Sequence, residues 1–195
     1  MWIRSGSEIG ALFMAAALLV PVDRAEMTRA LELARWPHTD QERARFHGRY
    51  IVHTGGAAVN QLSVTSIEVI TEFRRMELIA EAHARLNDNF ARGGAIREAE
   101  QALEPWRGRL SIVAHVDASR LSFGVPDVRV DIAGRDASPP IDRRTTPLYV
   151  ESTLAGIDAE AVFSGASIGQ TLRTVVVRLR DAELARAAID FRYLD

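Results

Sequence analysis

The hydrophobic periodicity of this chain changes once along its length, and that change limits the folds that it can adopt. Between residues 23 and 106, apolar residues recur three and four positions apart, which is typical of amphipathic helices. From residue 109 to the end, apolar and polar residues alternate, which is typical of half-buried β-strands. We therefore expect an α+β fold, with N-terminal helices followed by a C-terminal antiparallel β-sandwich-like sheet.

Capping residues and a proline predict two helices near the start of the first region. Asp23 and Glu26 have the spacing of a capping box, which indicates a helix that ends near Arg35. Pro37 stops this helix, because the residue before a proline is disfavoured in the helical conformation. Asp40 is placed to cap a short second helix.

The longest predicted helix covers residues 66–86. Thr65 and Glu68 have capping-box spacing at its start, and a wide apolar face follows. A stripe of that width predicts contact on two sides, so this helix is expected to be central. A last helix, residues 95–104, is expected to end at Pro105.

Four glutamates lie along the polar side of the long predicted helix. Glu68 and Glu72 are four residues apart, as are Glu77 and Glu81, so each pair shares a helix face. Paired carboxylates can act as acid and base when burial separates their pKa values. Neighbouring arginines favour a simpler interpretation, a solvated and charged helix face. These arginines are Arg74, Arg75 and Arg85.

Five alternating segments predict the strands of the second half. They cover residues 109–117, 128–132, 157–163, 175–179 and 185–191. The last two flank a short connection, residues 180–183, so we expect them to form a terminal antiparallel hairpin. Residues 134–147 contain three prolines and no periodicity, which predicts a long exposed loop.

Residues 9–22 form a long apolar segment directly after a start that contains Arg4. A membrane-spanning helix needs about 20 apolar residues, and Pro21 and Asp23 end this segment earlier. We therefore expect an export signal cut near residues 22–25, with the mature protein periplasmic or secreted. The alternatives are a buried N-terminal helix in a cytoplasmic protein and an uncleaved anchor.

The amino-acid composition excludes several kinds of catalytic and metal-binding site. The chain has no cysteine, which excludes disulfides, thiolate catalysis and zinc-ribbon sites. A formal net charge of −2 does not favour a nucleic-acid partner. We expect no cofactor, and membrane contact only through the N-terminal segment during export.

The expected regions are an export signal (1–22), a mainly helical region (23–106) and an antiparallel β region (107–195). The last two can form one domain.

Residues 165–169 match G-x-S-x-G, the nucleophile-elbow pattern. That motif requires a helix after Ser167 and a histidine later in the chain, but the following residues predict a strand and the last histidine is His115. Ser167 is therefore interpreted as a loop serine between two strands.

The histidines lack the spacing of a recognised metal site, and we expect none. His47 and His53 are an even number of residues apart and would share one face of a strand over residues 47–54. With Glu72 and His115, they are the polar groups available to a small-molecule pocket between the helices and the sheet.

Two functions remain open from the sequence. The first is an exported, non-enzymatic cell-envelope protein that binds another envelope protein, associates with itself or has a structural role. The alternative is a small-molecule-binding protein or enzyme that uses the pocket between the helices and the sheet.

Overall fold

A computed structural model describes residues 22–34, 39–55, 58–86, 95–121, 124–134, 137 and 139–194. Within these residues the helices are α1 (Arg24–Leu33), α2 (Asp40–Gly48), α3 (Glu72–Arg85), α4 (Ala95–Leu103) and α5 (Gly165–Ile168). The strands are β1 (Ile51–His53), β2 (Leu62–Ile70), β3 (Arg109–Leu121), β4 (Val128–Ala133), β5 (Asp142–Val150), β6 (Thr153–Ser164), β7 (Leu172–Leu179) and β8 (Ala182–Asp190).

The strands form two antiparallel sheets with a shared core. The larger sheet has the order β1-β2-β3-β6-β5, and the smaller has the order β4-β7-β8. Ile67, Ile112 and Phe163 of the larger sheet belong to the same buried cluster as Val175 and Ile189 of the smaller one. The α+β fold with a sheet-rich C-terminal part is therefore confirmed.

Helices α1, α3 and α4 form a second, smaller core. Met27, Met76 and Leu103 are fully buried there. Helix α3 lies on the face of the larger sheet that points away from the sandwich core, where Arg74 and Arg75 bind Glu68 and Ser111. Ile67 and Val69 of β2 belong to that core, and Glu68 between them points to α3, because successive strand residues face opposite sides.

Predictions based on local signals are confirmed at several points. The capping box of Asp23 and Glu26 is present in both directions at the start of α1. Helix α4 ends at Leu103, just before the predicted proline stop. In the terminal hairpin, Leu179 of β7 pairs with Ala182 of β8.

The first part of the predicted helix 66–86 is wrong. Residues Leu62–Ile70 form β2, and α3 begins only at Glu72, with Thr71 rather than Thr65 as its N-cap. The strand is stabilised by partners far along the chain, since Ile67 pairs with Ala114 of β3. In this short segment the apolar residues fit both helical spacing and strand alternation. Pairing with β3 selects the strand.

The predicted loop over residues 134–147 is wrong from Asp142 onward, where β5 begins. This strand lies at the edge of the larger sheet, and most of its side chains are exposed on both faces. An edge strand of this kind has no apolar alternation to detect. Pro147 fits there because an edge strand tolerates the loss of a backbone N–H.

Helix α2 corrects two further predictions. Thr39, not Asp40, caps it by accepting a hydrogen bond from the backbone N–H of Glu42 at 3.3 Å. His47 lies inside α2, whereas His53 ends β1, so the two histidines do not share a strand face.

The predicted export segment lies outside the described residues, apart from Val22. None of the helices in the described ranges is long and apolar enough to span a membrane.

Candidate functional site

A layer of buried and half-buried charged side chains lies between α3 and the larger sheet. We call it the ionic layer; its members are Glu68, Arg74, Glu77, His115 and Asp158. The Arg74 guanidinium donates to Glu68 Oε1 at 2.9 Å and to Glu77 Oε2 at 2.9 Å. Arg74 is 2% exposed and Glu77 is 4% exposed. The expectation of a solvated, charged helix face is therefore wrong for these residues.

The chain path explains why these charges meet. Only Thr71 separates the end of β2 from the start of α3, and its hydroxyl accepts from the backbone N–H of Arg74 at 3.1 Å. This sharp turn folds the first helical turn back over the strand that precedes it. Arg74 thereby lies over Glu68, six residues earlier in the chain.

His115 of β3 lies between two carboxylates on neighbouring strands. Its Nδ1 is 2.8 Å from Asp158 Oδ1 on β6, and its Nε2 is 3.4 Å from Glu68 Oε2 on β2. The hydrogen bond with Glu68, assisted by Asp158, raises the pKa of His115 against the opposing effect of burial. Burial alone would raise the pKa of Glu68, but His115 and Arg74 lower it overall. The arrangement favours an imidazolium with one N–H directed at each carboxylate.

Arg75 forms a second link between α3 and the sheet. Its Nη2 donates to Ser111 Oγ at 2.7 Å and to Glu160 Oε1 at 3.4 Å. Its guanidinium carbon lies 3.4 Å from the centre of the Trp106 ring. Trp106 also packs against the helical core, so the ring joins the end of the helical region to this cation.

The carboxylate of Glu72 connects segments that are distant in the sequence. Its carboxylate accepts from the backbone N–H of Gly108 at 2.6 Å, from Arg107 Nη1 at 3.1 Å and from the backbone N–H of Val22 at 3.4 Å. Arg107 also donates to the carbonyl of Val22 at 2.7 Å. Three separate parts of the chain are joined at this side chain.

A cavity of about 160 Å³ lies among α1, α2 and α3. Its lining combines apolar and ionisable side chains: Leu33, Ala34, Glu42, Phe46, His47, Glu77 and Glu81. His47 Nε2 is 3.6 Å from Glu81 Oε2, and Arg85 donates to Glu81 Oε1 at 2.7 Å. Burial raises the pKa of Glu77 to about 7, with a contribution from the nearby Glu81 charge, although Arg74 opposes the shift. We call this space the helical cavity.

The four residues expected at a ligand site have different surroundings. His47 lines the helical cavity, His115 belongs to the ionic layer, and Glu72 binds Val22, Arg107 and Gly108. His53 is exposed at the end of β1.

Sequence reasoning missed Phe46 and Glu42 as lining residues of the helical cavity, and it assigned Glu77 and Glu81 to solvent. The four-residue spacing of Glu77 and Glu81 was a usable signal for a shared face. Their burial had no signal in the sequence, since it depends on how α1 and α2 pack against α3.

The structure also shows the surroundings of the ionisable side chains that could bind a metal and of Ser167 in the G-x-S-x-G motif. Among the residues with defined positions, no group of three or more His, Asp and Glu side chains is arranged to hold a metal ion. Ser167 lies in the single helical turn α5 rather than in a loop, and its hydroxyl donates to the Ser164 carbonyl at 2.7 Å.

The end of β5 carries three exposed apolar side chains on the two faces of the strand. Leu148, Tyr149 and Val150 follow one another there, and they are 46%, 58% and 64% exposed. We call these three residues the β5 patch. They directly precede the turn into β6 at Glu151, which has a positive φ of 57°.

Comparisons of this chain with protein-family models, with curated proteins and with solved structures found no match.

Proposed function

We propose that this protein is a non-enzymatic interaction module of the cell envelope that binds a protein partner through the β5 patch. The observation that supports this function most directly is the run of three consecutive apolar side chains, each about half exposed or more. Contiguous exposed apolar residues are typical of protein-binding surfaces. The partner is another envelope protein or a second copy of this chain.

The position of the patch at a sheet edge strengthens the proposal. Strand β5 pairs with β6 and ends the strand order of the larger sheet, so one row of its backbone groups faces outward. Such a row can pair with an extended segment of another chain.

The two halves of β5 differ in the features that discourage this edge strand from pairing with strands of other chains. Arg143 and Arg144 carry charge at its start and are bound to Asp131 and Asp142, at 2.6 and 3.1 Å. Pro147 lacks a backbone N–H. The β5 patch beyond Pro147 has neither charge nor proline. We therefore assign partner binding to the β5 patch and not to the first half of the strand.

Export is supported by the apolar segment at residues 9–22. Val22 is 3% exposed and is bound through both its backbone N–H and its carbonyl. Asp23 caps α1. If the segment is removed, a cut before Val22 retains all of these contacts, whereas a cut inside residues 23–25 loses them.

Site-specific crosslinking tests the interaction. A photoreactive amino acid is placed at Tyr149 in one variant and at Tyr193 in another, since Tyr193 is also exposed, at 74%, but lies outside the patch. Crosslinked species are then identified in intact cells by mass spectrometry. We expect a discrete adduct from position 149 that is lost in the Leu148→Ser/Val150→Ser background. Identical adducts from both positions, or none from position 149, would contradict the proposal.

Fractionation tests the compartment. Cells that express the full chain are separated into cytoplasm, membrane, periplasm and medium, and the intact mass of the product is measured. We expect a shortened chain that begins at Val22 or earlier, in the periplasm or medium. A full-length chain confined to the cytoplasm would refute export without deciding whether the β5 patch binds a protein.

A further inference from the structure

We propose that the helical cavity is a binding site for a small organic cation, a primary ammonium group joined to a short hydrocarbon chain. This inference goes beyond the protein-binding function and concerns a different part of the molecule. The β5 patch is on an edge strand, whereas this cavity is a partly open space lined by residues of α2 and α3 and the end of α1.

The size of the cavity sets the size of the ligand. Its volume is about 160 Å³. A cavity of roughly 150 Å³ in another protein binds benzene, and a single water needs only about 10–15 Å³ on the same measure. The helical cavity therefore has room for about four to six carbon atoms and a head group, less than the volume that usually holds a drug-sized ligand.

The apolar part of the lining suits a hydrocarbon chain. Leu33 and Ala34 come from the end of α1, and Phe46 comes from α2. Phe46 also contacts both core clusters, so its ring is held in place on its inner side. A short alkyl group in the cavity would gain apolar contacts that a fully charged ligand cannot use.

The ionisable part of the lining suits a positive charge. Glu42, Glu77 and Glu81 all border the cavity. The Arg74 guanidinium that binds Glu77 also binds Glu68, so it is shared by two carboxylates, while Arg85 and His47 lie against Glu81. An ammonium group donates up to three hydrogen bonds and would supply positive charge where the lining is mainly acidic.

The electrostatics of Glu77 agree with this assignment. Its pKa is raised to about 7 because burial and the neighbouring Glu81 disfavour its charge more than Arg74 and Arg49 stabilise it. A cation in the cavity would favour the ionised form of Glu77. An anionic ligand would face the opposite effect, since it would add negative charge to a site where one carboxylate is already reluctant to ionise.

Isothermal titration calorimetry with a matched ligand series tests the proposal. The ligands are n-butylammonium chloride, 1-butanol and sodium butyrate, which share a short alkyl chain and differ in head-group charge. We expect saturable binding of butylammonium to the purified protein at pH 8, and binding at least tenfold weaker for the other two. Equal binding of butanol or butyrate, or no saturable binding of butylammonium, would overturn the assignment.

Two variants locate the site. Glu77→Gln removes an ionisable group from the lining and is expected to weaken butylammonium binding at least tenfold. Glu98→Gln changes an exposed carboxylate on α4 and should leave butylammonium binding unaltered. Leu33→Phe adds volume at the lining and should also weaken binding. Circular dichroism establishes that each variant is folded. If the folded Glu77→Gln and Leu33→Phe proteins bind butylammonium as the unmodified protein does, the ligand does not occupy this cavity.

Discussion

Arg74 and Glu68 are joined by two hydrogen bonds to a single oxygen: Arg74 Nε and Nη2 donate to Glu68 Oε1 at 3.1 and 2.9 Å. The remaining Nη1 donates to Glu77 at 2.9 Å. One guanidinium thus connects the strand before the turn with the helix after it. Because Arg74 and Glu77 are almost completely buried, removing this guanidinium would leave two carboxylates in the interior without it.

Replacement of Arg74 is expected to be strongly destabilising. Arg74→Met leaves Glu68 and Glu77 buried without their shared cation, and breaking a buried ion pair from one side typically costs about 3–5 kcal/mol. Arg85→Met is the matched control, since its side chain is 54% exposed and its pair with Glu81 should contribute less than about 1 kcal/mol. Urea denaturation at pH 7 measures both. Similar losses in the two variants would show that burial does not distinguish these ion pairs.

Glu77 should make the protein less stable as the pH rises. Its pKa is about 7 in the folded protein against an ordinary value of 4.5, so the folded state holds the proton more tightly than the unfolded state. The free energy of unfolding should therefore fall between these two pH values, by about 1–3 kcal/mol from this group. Glu77→Gln removes this contribution.

The difference in unfolding free energy between Glu77→Gln and the unmodified protein, measured at pH 5 and at pH 8, isolates that effect from other titrating groups. The variant should gain relative stability at pH 8. Glu98→Gln, at an exposed carboxylate of α4, is the control. A Glu77→Gln difference that does not change with pH would indicate that Glu77 is ionised throughout.

His115 should retain its proton above the pH at which an ordinary histidine loses it. Its pKa is raised by hydrogen bonding to Glu68 and then Asp158. The stability that these contacts contribute is complete below 6.5, the ordinary value, and is lost as the pH rises through the higher value in the folded protein. A titration of the His115 ring followed by NMR measures this directly.

Asp158→Asn should lower the pKa of His115, because it removes the charge that lies 2.8 Å from Nδ1. Asp142→Asn removes an exposed carboxylate from β5, where its partner is Arg144, and should leave the titration of His115 unchanged. Equal shifts in both variants would attribute the raised pKa to the overall charge of the protein rather than to this contact.

Gly156 is expected to tolerate no side chain. It lies on β6, and an added Cβ would be 2.9 Å from the backbone oxygen of Val116 on the paired strand. The side chain of Leu148 lies on the same side, 3.6 Å from that position. Gly156→Ala should cost about 1–3 kcal/mol, the usual effect of overpacking. Gly48→Ala is the control, because nothing lies within 4 Å of its added Cβ. Thermal melts compare them, and an equally stable Gly156→Ala protein would show that β3 and β6 can separate locally.

Elements whose stabilising contacts lie within a few residues could be predicted from the sequence. The capping box of Asp23 and Glu26 is a contact between positions three apart, and the terminal hairpin closes across a two-residue turn between Leu179 and Ala182. In both cases the stabilising partner is only a few residues away in the chain, so the sequence pattern is enough to predict the contact.

Long-range contacts in the folded protein establish which segments become strands when the partner strand is distant, and which charged side chains become buried. Ile67 lies in a strand because it pairs with Ala114, and β5 is a strand because β6 lies beside it. Glu77 has an ionisable side chain and lies on the polar side of the amphipathic pattern, yet it is buried in the folded protein together with Arg74. Burial and strand pairing depend on contacts between residues far apart in the chain, and local periodicity does not record such contacts.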